Sequence, residues 1–272
     1  MNDLPMITSR DNQRLINARK VRDRLAANRI FVEGKRLAIE ALRSRVRIEE
    51  CFVSERFFNN RENAEILVQL ADAARFMFGL SDRVFQTIAA TEHTQGVVLI
   101  AERPIHSVET IEANIRGGKT LPIVVALFQI NNPSNLGAVL RTAEAAGVAG
   151  VIVTRNSADV FSPKSLRASM GAAFRLPVWN DVALETAIEW AAENGIVSTA
   201  TGTGSSTVHT AADWRKPRLV IFGSEAHGLS EDHVAAVKER VRILMENGVE
   251  SLNLAVATGV ILFEAKRQNE TV

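Results

Sequence analysis

The sequence predicts an α/β protein in which a small α/β domain precedes a larger one built on a mostly parallel sheet. Short β-rich runs alternate with helical stretches along the whole chain. Leu121–Phe128 is an unbroken apolar run bounded by turn residues, as expected of a strand buried on both faces of a parallel sheet. The chain closes on a helical stretch from Leu254 to Phe263 that is apolar almost all round. Such a helix is expected to be largely buried, enclosed by elements made earlier.

Composition narrows the classes. The 272 residues are 46% hydrophobic and 23% charged, enough apolar content for a real core and unlike a disordered or collagen-like chain. The single cysteine, Cys51, excludes an internal disulfide and gives no zinc spacing, so no metal is expected. No signal-like segment opens the chain and no apolar run approaches about 18 residues, which makes a cytoplasmic protein without a membrane anchor the expectation. The net charge of +1 hides an asymmetry: residues 1–47 hold twelve Lys/Arg against five Asp/Glu, leaving −6 on residues 48–272. A basic arm on an acidic body suggests an anionic partner at one end, although a solvated basic helix would look the same.

In order, Ser9 is placed to cap a helix running to about Leu25, with Arg10, Arg14, Arg19, Lys20, Arg22 and Arg24 crowding its surface as candidate nucleic-acid contacts. Arg29–Glu33 reads as a strand, Gly34 as a turn, Lys35–Leu42 as a helix and Glu50–Val53 as a strand. Asn60–Ala74 reads as an amphipathic helix, Arg75–Phe78 and Gly96–Ile100 as strands, and Ser81–Ala89 as a helix between them. Residues 1–103 thus form the first domain. Residues 104–120, with Pro104, Gly117-Gly118 and a short helical stretch, read as a linker to a second domain at 121–272. There, Asn135 is placed to cap a helix that stops at Gly147. Val151–Val153, Ile196–Ala200 and Leu219–Phe222 read as strands, with helices at Ser162-Pro163 and from Leu184 to Asn194. Gly202-Thr-Gly204 follows a strand, but Thr207 stands where a dinucleotide fingerprint needs its third glycine, so the segment reads as a loop near a nucleoside-like ligand at most.

Three separated segments carry the chemistry. They are Asn135-Leu-Gly-Ala-Val-Leu-Arg141, Phe222-Gly-Ser-Glu-Ala-His-Gly-Leu-Ser230, and a closing stretch with Met245, Glu250-Ser-Leu-Asn253 and Ala-Val-Ala-Thr-Gly259. In this order and spacing they resemble the three signatures of the SpoU (TrmH-like) RNA ribose methyltransferases, a branch of the SPOUT superfamily. One position departs from that pattern, with Leu244 where the family usually has proline. Phe31-Val-Glu-Gly34 and His93-Thr-Gln-Gly-Val97 fall at landmarks of the L30e-like RNA-binding domain that many of these enzymes carry.

The resemblance implies a trefoil-knotted SPOUT domain, S-adenosylmethionine bound in the knot, and a homodimer with its active sites at the subunit interface. It places the cofactor contacts on Gly223, Ile243 and Leu252, with Ser251 and Asn253 holding the methionine portion or the sugar. Asn135 and Arg141, six residues apart on one helix, are expected to face one pocket. Arg141 is the family's catalytic position, sometimes proposed as a base. A guanidinium is effectively always protonated, so a cation holding phosphate and stabilising the developing alkoxide suits it better. Glu225 is the other candidate for the proton, or a carboxylate that orders the pocket; His227 beside it has no counterpart role in the family. Ribosomal RNA is the favoured substrate. The alternatives are transfer RNA, or a knotted RNA-binding or ribosome-assembly factor without catalysis.

Overall fold

The computed structural model describes residues 4–224 and 227–270, which form two compact units. Met1–Ile105 and Val160–Arg175 make up the first, and His106–Asp159 and Leu176–Val272 the second.

The first unit is a five-stranded sheet of β1 (Met6–Ile7), β2 (Arg29–Glu33), β3 (Ile48–Ser54), β4 (Ala74–Leu80) and β5 (Val97–Glu102), in the order β1-β4-β3-β5-β2. β5 runs antiparallel to both its neighbours, and β4 is parallel to β1 and β3. Its first helix spans Gln13–Arg22, shorter than expected. Asn12, not Ser9, is the cap: its side chain accepts from the Arg14 amide, while Ser9 Oγ accepts from Asp11 one turn earlier. Leu15, Ala18 and Val21 from this helix pack with Phe31, Phe52 and Val98 of the sheet in one core. The stretch read as one amphipathic helix, Asn60–Ala74, opens with a 3-10 turn at Arg61–Asn63 and continues as the helix Ala64–Ala73, with a separate short helix, Glu55–Asn59, before it. Asn60 caps the turn by accepting from Glu62 N, and its extended backbone separates the turn from the short helix before it.

The two short glycine landmarks of this unit meet. Gly34 N donates to Val97 O, and Gln95 Oε1 accepts from Lys35 N at 2.8 Å. Gly34 has a φ of +103°, and a Cβ there would lie 2.9 Å from that same Gln95 oxygen, so only glycine fits without strain. Glu33 is buried, and its carboxylate accepts from Ala90 N and Thr91 Oγ1. Within the same unit, Arg175 of the Val160–Arg175 segment donates to Glu40 at 2.7 Å and to Ser44 at 3.1 Å.

The second unit has six strands, all parallel: β6 (Leu121–Leu127), β7 (Val148–Thr154), β8 (Val178–Val182), β9 (Val197–Thr201), β10 (Arg218–Phe222) and β11 (Glu239–Val241), ordered β11-β9-β10-β6-β7-β8. β6, β7 and β10 are buried almost throughout, as continuous apolar runs in a parallel sheet require. The helix Val108–Gly117, inside the stretch read as a linker, sends Ile111 fully into this core. The helix after β6 spans Pro133–Ala146 and begins three residues earlier than expected. Asn132 caps it by accepting from Ser134 N, with Pro133 in its first turn, so Asn135 lies inside the helix. It ends at Gly147, whose φ of +81° is the left-handed stop glycine provides.

At the far edge, one continuous segment flanks the chain at Val241–Arg242 on both sides. Gly202 N donates to Val241 O, while Arg242 exchanges hydrogen bonds with Thr207 O and His209 N. Trp214, fully buried, donates from Nε1 to His209 O and from its amide to Gln268 of the last helix. That helix, Leu254–Asn269, is less enclosed than its sequence suggests. Leu254, Ile261, Leu262 and Ala265 are buried, but Val256 and Phe263 are about half exposed and Val260 lies beside them at the surface. An apolar periphery therefore has one face inside this chain and one left over.

Candidate functional site

The C-terminal ends of β9, β10 and β11 open into one cleft of 430 Å³ in the second unit. In parallel sheets this edge is where ligands bind, because helix N-termini and loop amides converge there. Thr201 and Gly202 come from the end of β9, Phe222 to Ser224 from the end of β10, and Val241 and Ile243 from the end of β11. The N-terminus of the last helix supplies Ser251, Leu252, Asn253 and Leu254, and Ala257 and Ile261 form part of the wall.

The three expected cofactor positions, Gly223, Ile243 and Leu252, all line this cleft, and so do Asn135, Ser251 and Asn253. Asn253 is a cap: its Oδ1 accepts from Ala255 N at 2.9 Å and Val256 N at 3.4 Å, and its amide nitrogen donates to Asn135 Oδ1 at 3.4 Å. Two helix starts are thus tied together across the cleft mouth. Their dipoles favour negative charge, such as a carboxylate, at that end.

Gly223 has a reason the sequence did not reveal. A Cβ there would lie 2.4 Å from the carbonyl carbon of Gly228, because the loop folds back and Ser224 and Gly228 exchange backbone hydrogen bonds. The glycine is needed first for the loop to close on itself. At Asn247 and Gly248 the backbone turns through the left-handed region at both residues, and Met245 still reaches the cleft. Leu244, in the proline position, is exposed.

Arg141 does not join this group. It is exposed and outside the cleft lining, whereas Asn135 lies within it. Six residues at about 100° each place two side chains roughly 120° apart around a helix, so the expectation that both face one pocket does not hold within one chain. Glu225 lies outside the described residues. His227 is exposed and donates its amide to Ser224 Oγ.

The basic residues of the first unit divide. Arg14 pairs with Glu50 and lies over the rings of Phe76 and Phe78. Arg19 donates to Arg10 O at 2.9 Å. Arg22 forms a double contact with Asp23 and donates to the carbonyls of Thr87, Ile88 and Ala89, satisfying the end of the helix Asp82–Gln86. That guanidinium holds the Asp23 carboxyl below its ordinary pKa. Arg10, Lys20 and Arg24 are exposed.

Several cleft residues have no individual role in the sequence reading, although most lie within segments it quotes: Thr201, Thr203, Gly228, Glu250, Ala257 and Ile261. The rule that parallel strands present ligand sites at their carboxyl ends would have pointed to the first two, given the strand order. The Gly202-Thr-Gly204 loop does reach this site through Gly202 and Thr203, without forming a dinucleotide fingerprint.

The comparisons with known proteins agree with this geometry. Residues 122–263 match the SpoU rRNA Methylase family, and residues 13–99 match the MRM3-like substrate binding domain. The chain is therefore a member of the SpoU rRNA methylase family. It is 31% identical over 228 residues to the 23S rRNA (guanosine-2'-O-)-methyltransferase RlmB of Pseudomonas aeruginosa, covering 82% of this chain and 89% of that one. An uncharacterized tRNA/rRNA methyltransferase of Synechocystis is 39% identical over 144 residues, an alignment spanning 53% of each protein. The crystal structure of an AdoMet-bound rRNA methyltransferase from Sinorhizobium meliloti superposes with a TM-score of 0.81 at 27% identity, over 98% of this chain and 99% of that one.

Proposed function

We infer that this protein is an RNA 2'-O-ribose methyltransferase that uses S-adenosylmethionine and acts on ribosomal RNA. The observation that carries the reading is the cleft, in which signatures from three distant segments converge at the ends of parallel strands. Its volume lies in the ordinary range for small-molecule sites, and its wall suits a nucleoside with a charged tail. Ile243, Leu252, Leu254 and Ile261 offer apolar surface to a purine, and Ser251, Asn253 and Thr203 offer polar groups. When bound, S-adenosylmethionine supplies an electrophilic methyl on a sulfonium and a neutral thioether leaving group. The chain's own residues must align the ribose hydroxyl and exclude competing water. In this reading Asn135 and Asn253 fix the cleft mouth, and Arg141 holds the RNA phosphate and stabilises oxygen charge. Glu225 remains the candidate proton acceptor.

The reading extends to a knotted homodimer. Support for the knot comes from the loop between β9 and Trp214, which hydrogen-bonds both sides of the Val241–Arg242 segment. Support for the dimer comes from the leftover apolar face of Val256, Val260 and Phe263, and from Arg141 being exposed outside the cleft of its own chain. A second copy covering that face would bring an arginine to the neighbouring site. The first unit holds the RNA, consistent with its basic N-terminal stretch, and the cytoplasm is the proposed compartment.

Mapping 2'-O-methyl groups on total RNA from a deletion strain and its parent tests the activity. One ribosomal nucleotide should lose its methyl and regain it when deletion-strain RNA is incubated with purified protein and S-adenosylmethionine. A loss confined to tRNA would move the substrate, and no difference at any nucleotide would remove the activity. Sedimentation should give a dimer for the wild type and a monomer for Phe263→Glu.

A further inference from the structure

One aromatic side chain in the first unit has no packing role that explains it. Phe76 on β4 is 41% exposed, and among the described residues of that unit it is the only exposed aromatic. It closes a row of near-parallel rings: Phe52 lies 5.8 Å from Phe78, and Phe78 lies 6.5 Å from Phe76, each pair inclined by 25°. Phe52 is fully buried and Phe78 is half-buried against the core, so burial accounts for both. Phe76 extends the row into solvent, where a polar residue would cost less.

Two guanidinium groups flank it. The Arg14 guanidinium lies 4.8 Å from the Phe76 centroid and 4.7 Å from that of Phe78, and Arg75 lies 5.2 Å from Phe76. Arg14 is held in place by Glu50, the residue paired with Phe76 across β3 and β4. The ring and its nearest cation are therefore ordered before any ligand arrives, which lowers the cost of binding.

We propose that Phe76, flanked by Arg14 and Arg75, is a stacking platform for an unpaired base of the RNA this protein binds. A partly exposed ring stacks with any base, and the exposed Arg75 guanidinium beside it suits an adjacent phosphate. The exposed cations Lys20 and Arg75 of this unit favour a polyanion over an apolar peptide. The proposal rests on the reading of the protein as an RNA methyltransferase and adds a base-binding subsite within the first unit.

Retention of deletion-strain ribosomal RNA on filters, at several salt concentrations, tests it. Phe76→Ala and Phe76→Leu should each weaken binding roughly five- to thirty-fold, since one stacked base contributes about that much at a partly open site. The slope of affinity against salt should stay unchanged, because no ionic contact is lost. Phe76→Trp should bind at least as tightly as wild type. Arg75→Ala should flatten the salt slope instead. S-adenosylmethionine affinity, measured by calorimetry, should be equal in all variants. Phe76→Leu keeps apolar contact with Phe78 and Arg14, so it reports on stacking even if Phe76→Ala loses stability. Binding by Phe76→Leu equal to wild type, or a flattened salt slope in that variant, would overturn the platform. A wild-type protein that neither binds nor methylates this RNA would overturn the RNA reading itself. Wild-type methylation with unaffected Phe76 variants would overturn only the platform.

Discussion

The first helix of the chain ties up most of its arginines, whereas the second unit sets a buried arginine on a central strand against an exposed one on a helix. Around the first helix, Arg14, Arg19 and Arg22 are tied to Glu50, Arg10 O, Asp23 and three carbonyls of one helix end. In the second unit, Arg218 is buried, donating to Thr199, Glu239 and Asp213 O and lying over Trp214, whereas Arg141 stands exposed on a helix surface. A guanidinium is a ligand group only when the fold leaves it one. Counting basic residues in a stretch of sequence overstates the charge available to an anionic partner.

The largest effects should separate Arg141 from Arg218. Arg141→Ala is expected to lower the methylation rate by roughly 10² to 10³, with cofactor affinity and unfolding midpoint close to wild type. Arg141→Lys should recover only part of that, because a point charge cannot reproduce a planar fork on phosphate. Arg218→Ala should do the reverse, losing about 3 kcal/mol of stability in denaturant titration, at the low end for a broken buried pair because Glu239 is partly exposed. An unstable but fully active Arg141→Ala protein would erase the contrast.

A smaller contrast lies within the first helix. Arg22→Ala should cost about 1–2 kcal/mol of stability by leaving helix-end carbonyls unsatisfied. Lys20→Ala should leave stability within about 0.5 kcal/mol of wild type. It should also reduce the salt slope of RNA binding by roughly 0.7 to 0.9, the signature of one lost phosphate contact. Equal salt slopes in the two variants would mean that tied and exposed cations cannot be told apart by their partners.

The smallest effect concerns acid. Glu264 on the last helix accepts from Arg267 and Gln268, which hold its pKa down to about 2. Unfolded, this carboxyl titrates near 4.5, so its stabilising contribution is complete above that pH and is lost as pH falls from there toward 2. Thermal unfolding of Glu264→Gln should therefore lie below wild type at pH 6 and converge with it near pH 2. A constant gap across that range would show that the carboxylate has no linkage role.

The α/β class and most strands of both sheets were determined by the sequence alone, because each rests on local patterning, while the three signature segments were legible through their resemblance to a family. Apolar runs at Leu121–Leu127 and Arg218–Phe222, the stop at Gly147 and the cap at Ser162 need no knowledge of distant residues. Features that depend on a choice among neighbours were decided only in three dimensions. Asn12 and Asn132 took the caps expected of Ser9 and Asn135, since several polar residues near a helix start can satisfy the same amides and packing selects one. Short strands such as Met6–Ile7 and Val178–Val182 carry too little periodicity to declare themselves and exist because a partner strand lies beside them. Gly223 was visible as a motif residue, but the backbone it must clear, at Gly228, appears only once the loop folds back. The tertiary structure also set which cations are occupied, because an ion pair between Arg14 and Glu50 joins residues whose separation along the chain carries no signal.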